Sequence, residues 1–390
     1  APSVAYMVTI RGKAGIEAYY DSVLRGRGGR KIVEVDSEGR DTRYKLVRPA
    51  QEGTGLNLSI DGKLQETAYK VFGDYTEGRK AGSIVAIDPR SGAIRALVSF
   101  PAVDANALSS GISQQEFKRL IENPLNPFFN RAIGGEFPSG STIKPLLAAA
   151  ALEENLIDPK KKIYDSGFIE IPNPYRPGES SRFVDWRKHG WVDFYDAIAY
   201  SANVYFYMIG GGYRDQKGLG IERIKKYAAA FGLGSRLNID LPGEKTGFLP
   251  GPETKKITDP DDPIWRVGDT YNVSIGQGGV EVTPLQMAAL TAAIANGGTL
   301  YRPYVLESML DENGKPANKT VPTVLHAGTI KTKNLAEVVA GMRRTVTHGT
   351  APSLSALPVP TAAKTGTAQS APGKPPHAWV TAFAPVENPE

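Results

Sequence analysis

Ser141 and Lys144 stand three residues apart in the stretch PSGSTIKPLLAAAALEENLI, residues 138 to 157. A serine hydroxyl is a poor nucleophile unless a base adjoins it. A lysine can be that base if burial and neighbouring positive charge lower its pKa from about 10.4. Pro145 has no N–H to donate, so it fits only the first turn of a helix, and the helix must begin close to Ser141. The hydroxyl then sits at the positive end of the helix, with Lys144 on the same face one turn later. A helix cap followed by a solvated lysine meets the same spacing, so the neighbours must decide. GEFPSGST, residues 135 to 142, approaches a phosphate-cradling loop but carries Ser141 where that loop requires lysine, and a nucleotide site is rejected.

Two further groups keep Ser141 and Lys144 company. Ser201-Ala202-Asn203 lies in the almost wholly apolar DAIAYSANVYFYMIG. Polar groups there need partners. They are either satisfied groups within buried helices, or a hydroxyl that relays a proton and an amide that holds a substrate carbonyl. The other group is AAKTGTAQ, containing Lys364, Thr365, Gly366 and Thr367. In an extended strand Thr365 and Thr367 share a face, and Gly366 leaves room beside the backbone. Such an edge can pair with an extended peptide and offer hydroxyls to its carboxylate; an ordinary strand running into a loop also fits. Lys245-Thr246-Gly247 repeats the triplet between prolines beside Glu244, which reads as a surface turn, so the chemistry is assigned to Lys364.

The elements that must position these residues follow from the rest of the chain. With 390 residues, 41% of them hydrophobic, there is material for a sizeable core and more than one domain. A net charge of +5 without a run of like charges gives no indication of nucleic acid. There is no cysteine, and the four histidines (His189, His326, His348, His377) lack metal-ligand spacing, so no metal or cofactor is expected and each histidine is read as structural. No 18-residue apolar window occurs; because the chain opens on Ala1, loss of an N-terminal segment, including any signal or anchor, is expected. Residues 1 to about 56 read as part of a small β-rich module, with a strand at Lys31 to Val35. A helical pattern starts near residue 61. Strands Ile84 to Ile87 and Ala93 to Val98 flank Asp-Pro-Arg-Ser-Gly as a hairpin. From 105 to 300 the periodicity is mainly helical, broken by loops such as IPNPYRPGESS and LPGEKTGFLPGPE. The clearest helix spans Pro284 to Asn296, capped by Thr283 with Gln286 completing a capping box and Gly297 ending it. Strand signals return after 300 and end in HAWVTAFAP. Strands at both ends of a helical middle predict an α/β fold with a sheet assembled from distant segments.

The set S-x-x-K, S-x-N, K-T-G, in that order, is shared by penicillin-binding proteins and class A β-lactamases. Over nearly its whole length the sequence resembles a class B penicillin-binding protein, the monofunctional D,D-transpeptidase of peptidoglycan. The resemblance is carried by the three motifs together with GIEAYYDSVLRGRGG, VAIDPRSGAIRALVSFPAVD, NRAIGGEFPSGSTIKP, HGWVDFYDAIAYSANVYFY, FGLGSRLNIDLPGE, SIGQGGVEVTPLQMAALTAAIANGG and HAW. The blocks HGWVD and RGRGG look closer to the elongation branch, that of penicillin-binding protein 2, than to the division branch. The resemblance implies a serine β-lactamase-like α/β (α+β) fold, an antiparallel sheet flanked by helices with a mostly helical subdomain. It implies residues 1 to 56 as the end of a pedestal (dimerisation-type) domain and 57 to 390 as the transpeptidase domain. The family's N-terminal membrane anchor and its last strand and helix are expected to be missing from these boundaries.

The resemblance also implies the roles. Ser141 attacks the penultimate D-Ala carbonyl of a stem pentapeptide and Lys144 takes its proton. Ser201 relays a proton to the leaving D-Ala, Asn203 holds the peptide amide, and Lys364 supports the relay and the field. Thr365 and Thr367, with Gly366 between them, bind the terminal carboxylate. The N–H groups of Ser141 and Thr367 form the oxyanion hole, a contribution of about 2.7 to 4 kcal/mol per donor. Implied partners are stem peptides, β-lactams and a membrane glycosyltransferase of the shape, elongation, division and sporulation family. The implied location is the outer face of the inner membrane, reached through a segment absent here. A serine β-lactamase or a penicillin-sensing receptor would use the same three motifs.

Overall fold

The computed structural model describes residues 11–172, 178–370 and 373–390. Part of the IPNPYRPGESS loop, residues 173–177, lies outside them. The chain forms two units. The first gathers residues up to Ser59 with two later segments, Asn238–Gly243 and Tyr304–Val321. In it the strands Arg30–Val35 and Asp41–Arg48 pair antiparallel, which includes the strand expected at Lys31 to Val35. Leu306–Leu310 lies between Leu56–Leu58 and Pro316–Ala317 in a second small sheet. The distant segments are joined by the buried Asp240 carboxylate, which accepts the Tyr20 hydroxyl at 2.7 Å and the N–H groups of Val305 (2.7 Å) and Leu306 (2.9 Å). One acceptor thereby satisfies donors that would otherwise be unpaired.

The second unit, 60–237 with 244–303 and 322–390, holds all the candidate residues. Helix α1 (Gly62–Thr76) starts at Asp61, whose side chain accepts the Leu64 N–H. The hairpin then forms as the turn chemistry dictates: β1 (Gly82–Ile87) pairs with β2 (Ile94–Phe100). Its turn is locked by Asp88, which accepts the Arg90 backbone N–H and both Arg90 and Arg95 guanidinium groups. The Arg90 bonds dominate and hold Asp88 down at about 2. Ile94, Ala96, Val98 and Phe100 alternate inward along β2, and Tyr69 and Phe72 of α1 close over Phe100 at ring distances of 5.0 and 5.3 Å.

The helical middle is built around α2 (Lys144–Glu153), which is buried on all sides. Alanine and leucine give it high propensity, and Pro145 falls in its first turn, where a missing N–H costs little. It ends in a Schellman cap: Asn155 takes φ 53°, Asn155 N–H bonds to Leu152 O and Leu156 N–H to Ala151 O. Each of Leu146 and Leu147, fully buried, contributes about 1.5–3 kcal/mol. Around α2 lie the ribbon β3 (Ile163–Asp165) with β4 (Gly190–Val192), then α3 (Phe194–Ala199) and α4 (Asn203–Gly211). Helix α5 (Pro284–Ala295) carries the expected capping box: Thr283 Oγ1 accepts the Gln286 N–H at 3.1 Å and Gln286 Oε1 accepts the Thr283 N–H at 2.9 Å. Helix α6 (Thr332–Thr347) packs on α2 and α3. The chain closes with β5 (Ala362–Ala368) paired to β6 (His377–Phe383). The two hairpins are not hydrogen-bonded to each other among the described residues. Both pack against α5, so buried side chains rather than a continuous ladder hold the early and the late hairpin of this unit on one helix.

Candidate active site

Ser141 lies in a 3-10 turn, Gly140–Ile143, and α2 begins at Lys144. The helix start is thus where Pro145 requires it, and the half-buried serine sits at its N-terminal end. The turn is fastened on several sides. Gly140 N–H donates to Gly276 O at 2.9 Å, Thr142 Oγ1 donates to Ser139 O at 2.6 Å, and the Trp379 indole N–H of β6 donates to Pro138 O at 3.0 Å.

Ser201 occupies the junction between α3 and α4. Ser201 N–H bonds to Ile198 O and Ala202 N–H to Ala197 O, the Schellman pattern that ends α3. Glycine commonly takes the left-handed position of that motif, yet here a serine holds φ 60°. A non-glycine residue in that region costs on the order of 1–3 kcal/mol, and such strain clusters at functional sites. What the strained turn achieves is visible at Lys144. Its ammonium donates to the Ser201 carbonyl at 2.8 Å, the Ser201 hydroxyl at 3.2 Å and Asn203 Oδ1 at 2.6 Å. It also lies 5.1 Å from the centre of the Phe206 ring. Lys144 is fully buried, and burial pulls it down to about 7 against the weaker opposing pull of Asp185 and Asp165. Near neutral pH it is therefore poised between donor and base.

Lys364 is the second buried lysine. It is fully enclosed, donates to Thr365 O at 2.8 Å, and is driven well below its ordinary pKa first by burial and then by the charge of Lys144. Along β5, Lys364, Gly366 and Ala368 face inward while Thr365 is half-buried and Thr367 exposed, the alternation expected of a strand. Strand β5 lies against the Ser141 turn, and a Cβ on Gly366 would come within 3.0 Å of the Thr142 methyl and 3.2 Å of its nitrogen. Lys144, Ser201 and Asn203 are therefore joined by hydrogen bonds, whereas Ser141 and the β5 triplet reach the same place by packing. Lys245 and Thr246 are exposed, in a loop whose Gly247 N–H is held by Glu136.

Several contributors have no signature in the sequence. Thr350 Oγ1 lies 2.6 Å from Thr365 Oγ1 and fixes that hydroxyl. Asp185 Oδ2 accepts the Val204 N–H at 2.8 Å and caps the first turn of α4, which carries Asn203. Burial and the adjoining Asp185 raise Asp165 to about 7. Among the described residues, Asp165, Asp185 and His189 form a group able to hold a metal ion, their ligand atoms lying within 4.8 Å of one another. His189 is thus not an isolated histidine. Two carboxylates complete a group that a search for histidine and cysteine spacing passes over.

Comparison with known proteins shows the family and the fold. Residues 82–390 match the family model of the penicillin-binding protein transpeptidase domain, and residues 5–58 match that of the penicillin-binding protein dimerisation domain. The peptidoglycan D,D-transpeptidase MrdA of Acinetobacter baumannii is 38% identical over 299 residues, 76% of this chain and 42% of the relative. MrdA of Escherichia coli is 34% identical over 403 residues, 97% of this chain and 60% of the relative. The chain thus spans about half the length of these relatives. Among solved structures, penicillin-binding protein 2 of Helicobacter pylori in complex with MreC superposes with a TM-score of 0.80 at 32% identity, covering 97% of this chain and 67% of that one. Pseudomonas aeruginosa penicillin-binding protein 2 in complex with WCK 5153 gives 0.78 at 31%, covering 97% and 77%. By its matched residues, its fold and its relatives, the chain belongs to the penicillin-binding protein transpeptidase family.

Proposed function

We propose that this chain is the catalytic part of a serine-type peptidoglycan D,D-transpeptidase of the elongation branch, and that it cross-links stem peptides through an acyl-enzyme on Ser141. The observation that carries the reading is the fully buried Lys144 ammonium, held by Ser201 and Asn203 and lowered to about 7. In the neutral form Lys144 accepts the Ser141 proton as Oγ adds to the carbonyl carbon of the penultimate D-Ala. The oxyanion is met by the N–H groups of Ser141 and Thr367. The C–N bond then breaks, the Ser201 hydroxyl passes its proton to the departing D-Ala amine and takes in exchange the one that Lys144 had accepted, and an ester remains on Ser141. An amine of a neighbouring stem peptide adds to that ester, its proton returns through the same groups, and the C–O bond breaks to restore the hydroxyl. Asn203 holds the donor amide, Lys364 supports the relay without carrying the proton, and Thr365 and Thr367, with Gly366 giving clearance, bind the terminal carboxylate.

A β-lactam presents the same carbonyl, but its amine stays tethered after ring opening and the ester persists. The substrates place the reaction at the outer face of the inner membrane. A glycosyltransferase supplying fresh glycan is the matching partner, in keeping with a structural relative described as a peptidoglycan synthase complex that coordinates polymerization and crosslinking. The test is mass spectrometry after exposure to benzylpenicillin. A stable adduct on the Ser141 peptide, absent from Ser141→Ala, is expected; labelling that survives Ser141→Ala overturns the assignment, and rapid release of hydrolysed penicillin points to a β-lactamase instead.

A further inference from the structure

Behind the nucleophile, outside every group given a role above, Gly276 meets the Ser141 turn backbone to backbone. Its carbonyl accepts the Gly140 N–H at 2.9 Å. It is buried, holds φ 73°, and a Cβ built on it would lie 2.1 Å from Gly140 O and 2.5 Å from Ser139 Oγ. Real Cβ atoms do not come within 3.0 Å of such neighbours, and the closest one here is main chain that cannot swing aside. On its other side Gly140 is pressed against β5: a Cβ on Gly140 would lie 2.8 Å from Thr367 O. Gly276, Gly140 and the strand edge at Thr367 therefore form a stack without side chains between them, and Ser141 is the next residue along.

We infer that Gly276 is a positioning residue: its lack of a side chain lets the Ser141 turn seat against β5 and thereby sets the distance between the serine and the Thr367 edge. A side chain at 276 has to move Gly140 O from 2.1 Å to beyond 3.0 Å, a shift close to 1 Å. Misplacement of that size costs on the order of 10²-fold in rate when two groups must converge on one reacting carbonyl.

The inference rests on acylation of Ser141, and its test is read in penicillin acylation of the full chain, resolved into the Kd of the non-covalent complex and the first-order constant for acylation. Gly276→Ala is expected to lower the acylation constant by about 10²-fold, with Kd and the pH midpoint set by Lys144 left in place. A merely structural role would move the melting temperature without splitting the two constants. Gly279 is the control, with φ 87° in the same loop but no neighbour closer than 3.9 Å to a built Cβ. Gly279→Ala carries the same backbone strain and should acylate like the wild type.

Should Gly276→Ala not fold, Gly366→Ala approaches the turn from the β5 side. It should also slow acylation, and adding Thr142→Ser, which removes the methyl 3.0 Å from the new Cβ, should restore part of it, since Thr142 N at 3.2 Å and Ser139 O at 3.3 Å stay in place. Wild-type acylation by folded Gly276→Ala, an equal loss in Gly279→Ala, or no rescue by Thr142→Ser overturns the inference. A wild-type chain not labelled at Ser141 overturns the functional reading and this inference with it.

Discussion

The same three residues, Lys-Thr-Gly, occur at 245–247 and at 364–366. In the first copy the lysine and threonine are exposed, Thr246 Oγ1 donates to the neighbouring Gly247 carbonyl, and the glycine holds φ 65° as a turn residue. In the second the lysine is fully buried and pushed down, the threonine hydroxyl is fixed by Thr350, and the glycine is flat against the turn that carries Ser141. In water the solvent stabilises an ammonium. A buried lysine beside another cation loses that stabilisation and becomes available as a base or a tuned positive charge. The triplet is a set of parts, and its surroundings decide whether they do chemistry.

The largest effects should appear where the surroundings are driest. Lys144→Arg keeps a charge that cannot be withdrawn, so acylation should fall by about 10²–10⁴-fold, the range of a lost general base. In the wild type the acylation rate should rise with pH through a midpoint near 7, because Lys144 is lowered to about 7 and only its neutral form accepts the Ser141 proton. Stopped-flow acylation across pH 5 to 9 checks both, and a flat wild-type profile removes Lys144 from the base role. Lys364→Ala comes next. It removes the buried amine that supports the relay, so acylation should drop by about 10²-fold; acylation at the wild-type rate would take Lys364 out of the relay.

Much of this was legible in the residues themselves. Pro145 located the start of α2, the Asp-Pro-Arg-Ser-Gly turn located the β1–β2 hairpin, and Thr283 with Gln286 located α5, because each signal is local and rests on which backbone donors lack partners. The prolines around Lys245 likewise told the two triplets apart. Ser201 was harder. Its apolar neighbours suggested helix interior, whereas it ends α3 in a left-handed conformation that no propensity assigns to serine. Thr350, Asp185 and Gly276 were silent, since each acts through a contact with a different element of the fold, which no local pattern reveals. Asp165, Asp185 and His189 converge for the same reason, across a ribbon and a loop.

A smaller effect tests how far the surroundings of the second triplet matter. Thr350→Val keeps volume but removes the 2.6 Å partner of Thr365. Loss of one such hydrogen bond is about 0.5–1.5 kcal/mol. Since the Thr365 hydroxyl is proposed to hold the terminal carboxylate, the loss should appear as weaker non-covalent penicillin binding with the acylation constant nearly unchanged. An equal loss in both constants would place Thr350 closer to the reacting atoms.

The smallest expected effect is at the first triplet. Lys245 is exposed and none of its side-chain atoms enters an ion pair among the described residues, although its backbone N–H donates to Ile133 O at 3.0 Å. Lys245→Ala keeps that backbone bond and removes only a solvated charge, so stability should change by less than about 0.5 kcal/mol, as for an ordinary surface substitution. Charge alone reaches poorly through water and salt, with a screening length of about 8 Å at physiological ionic strength. Acylation should therefore match the wild type at 0.15 M salt. Measuring Lys245→Ala and Lys364→Ala side by side contrasts an exposed with a buried lysine, because residue type and the following Thr-Gly are the same in the two. If Lys245→Ala slows acylation as much as Lys364→Ala does, the exposed loop reaches the reacting centre and the contrast drawn between the two copies fails.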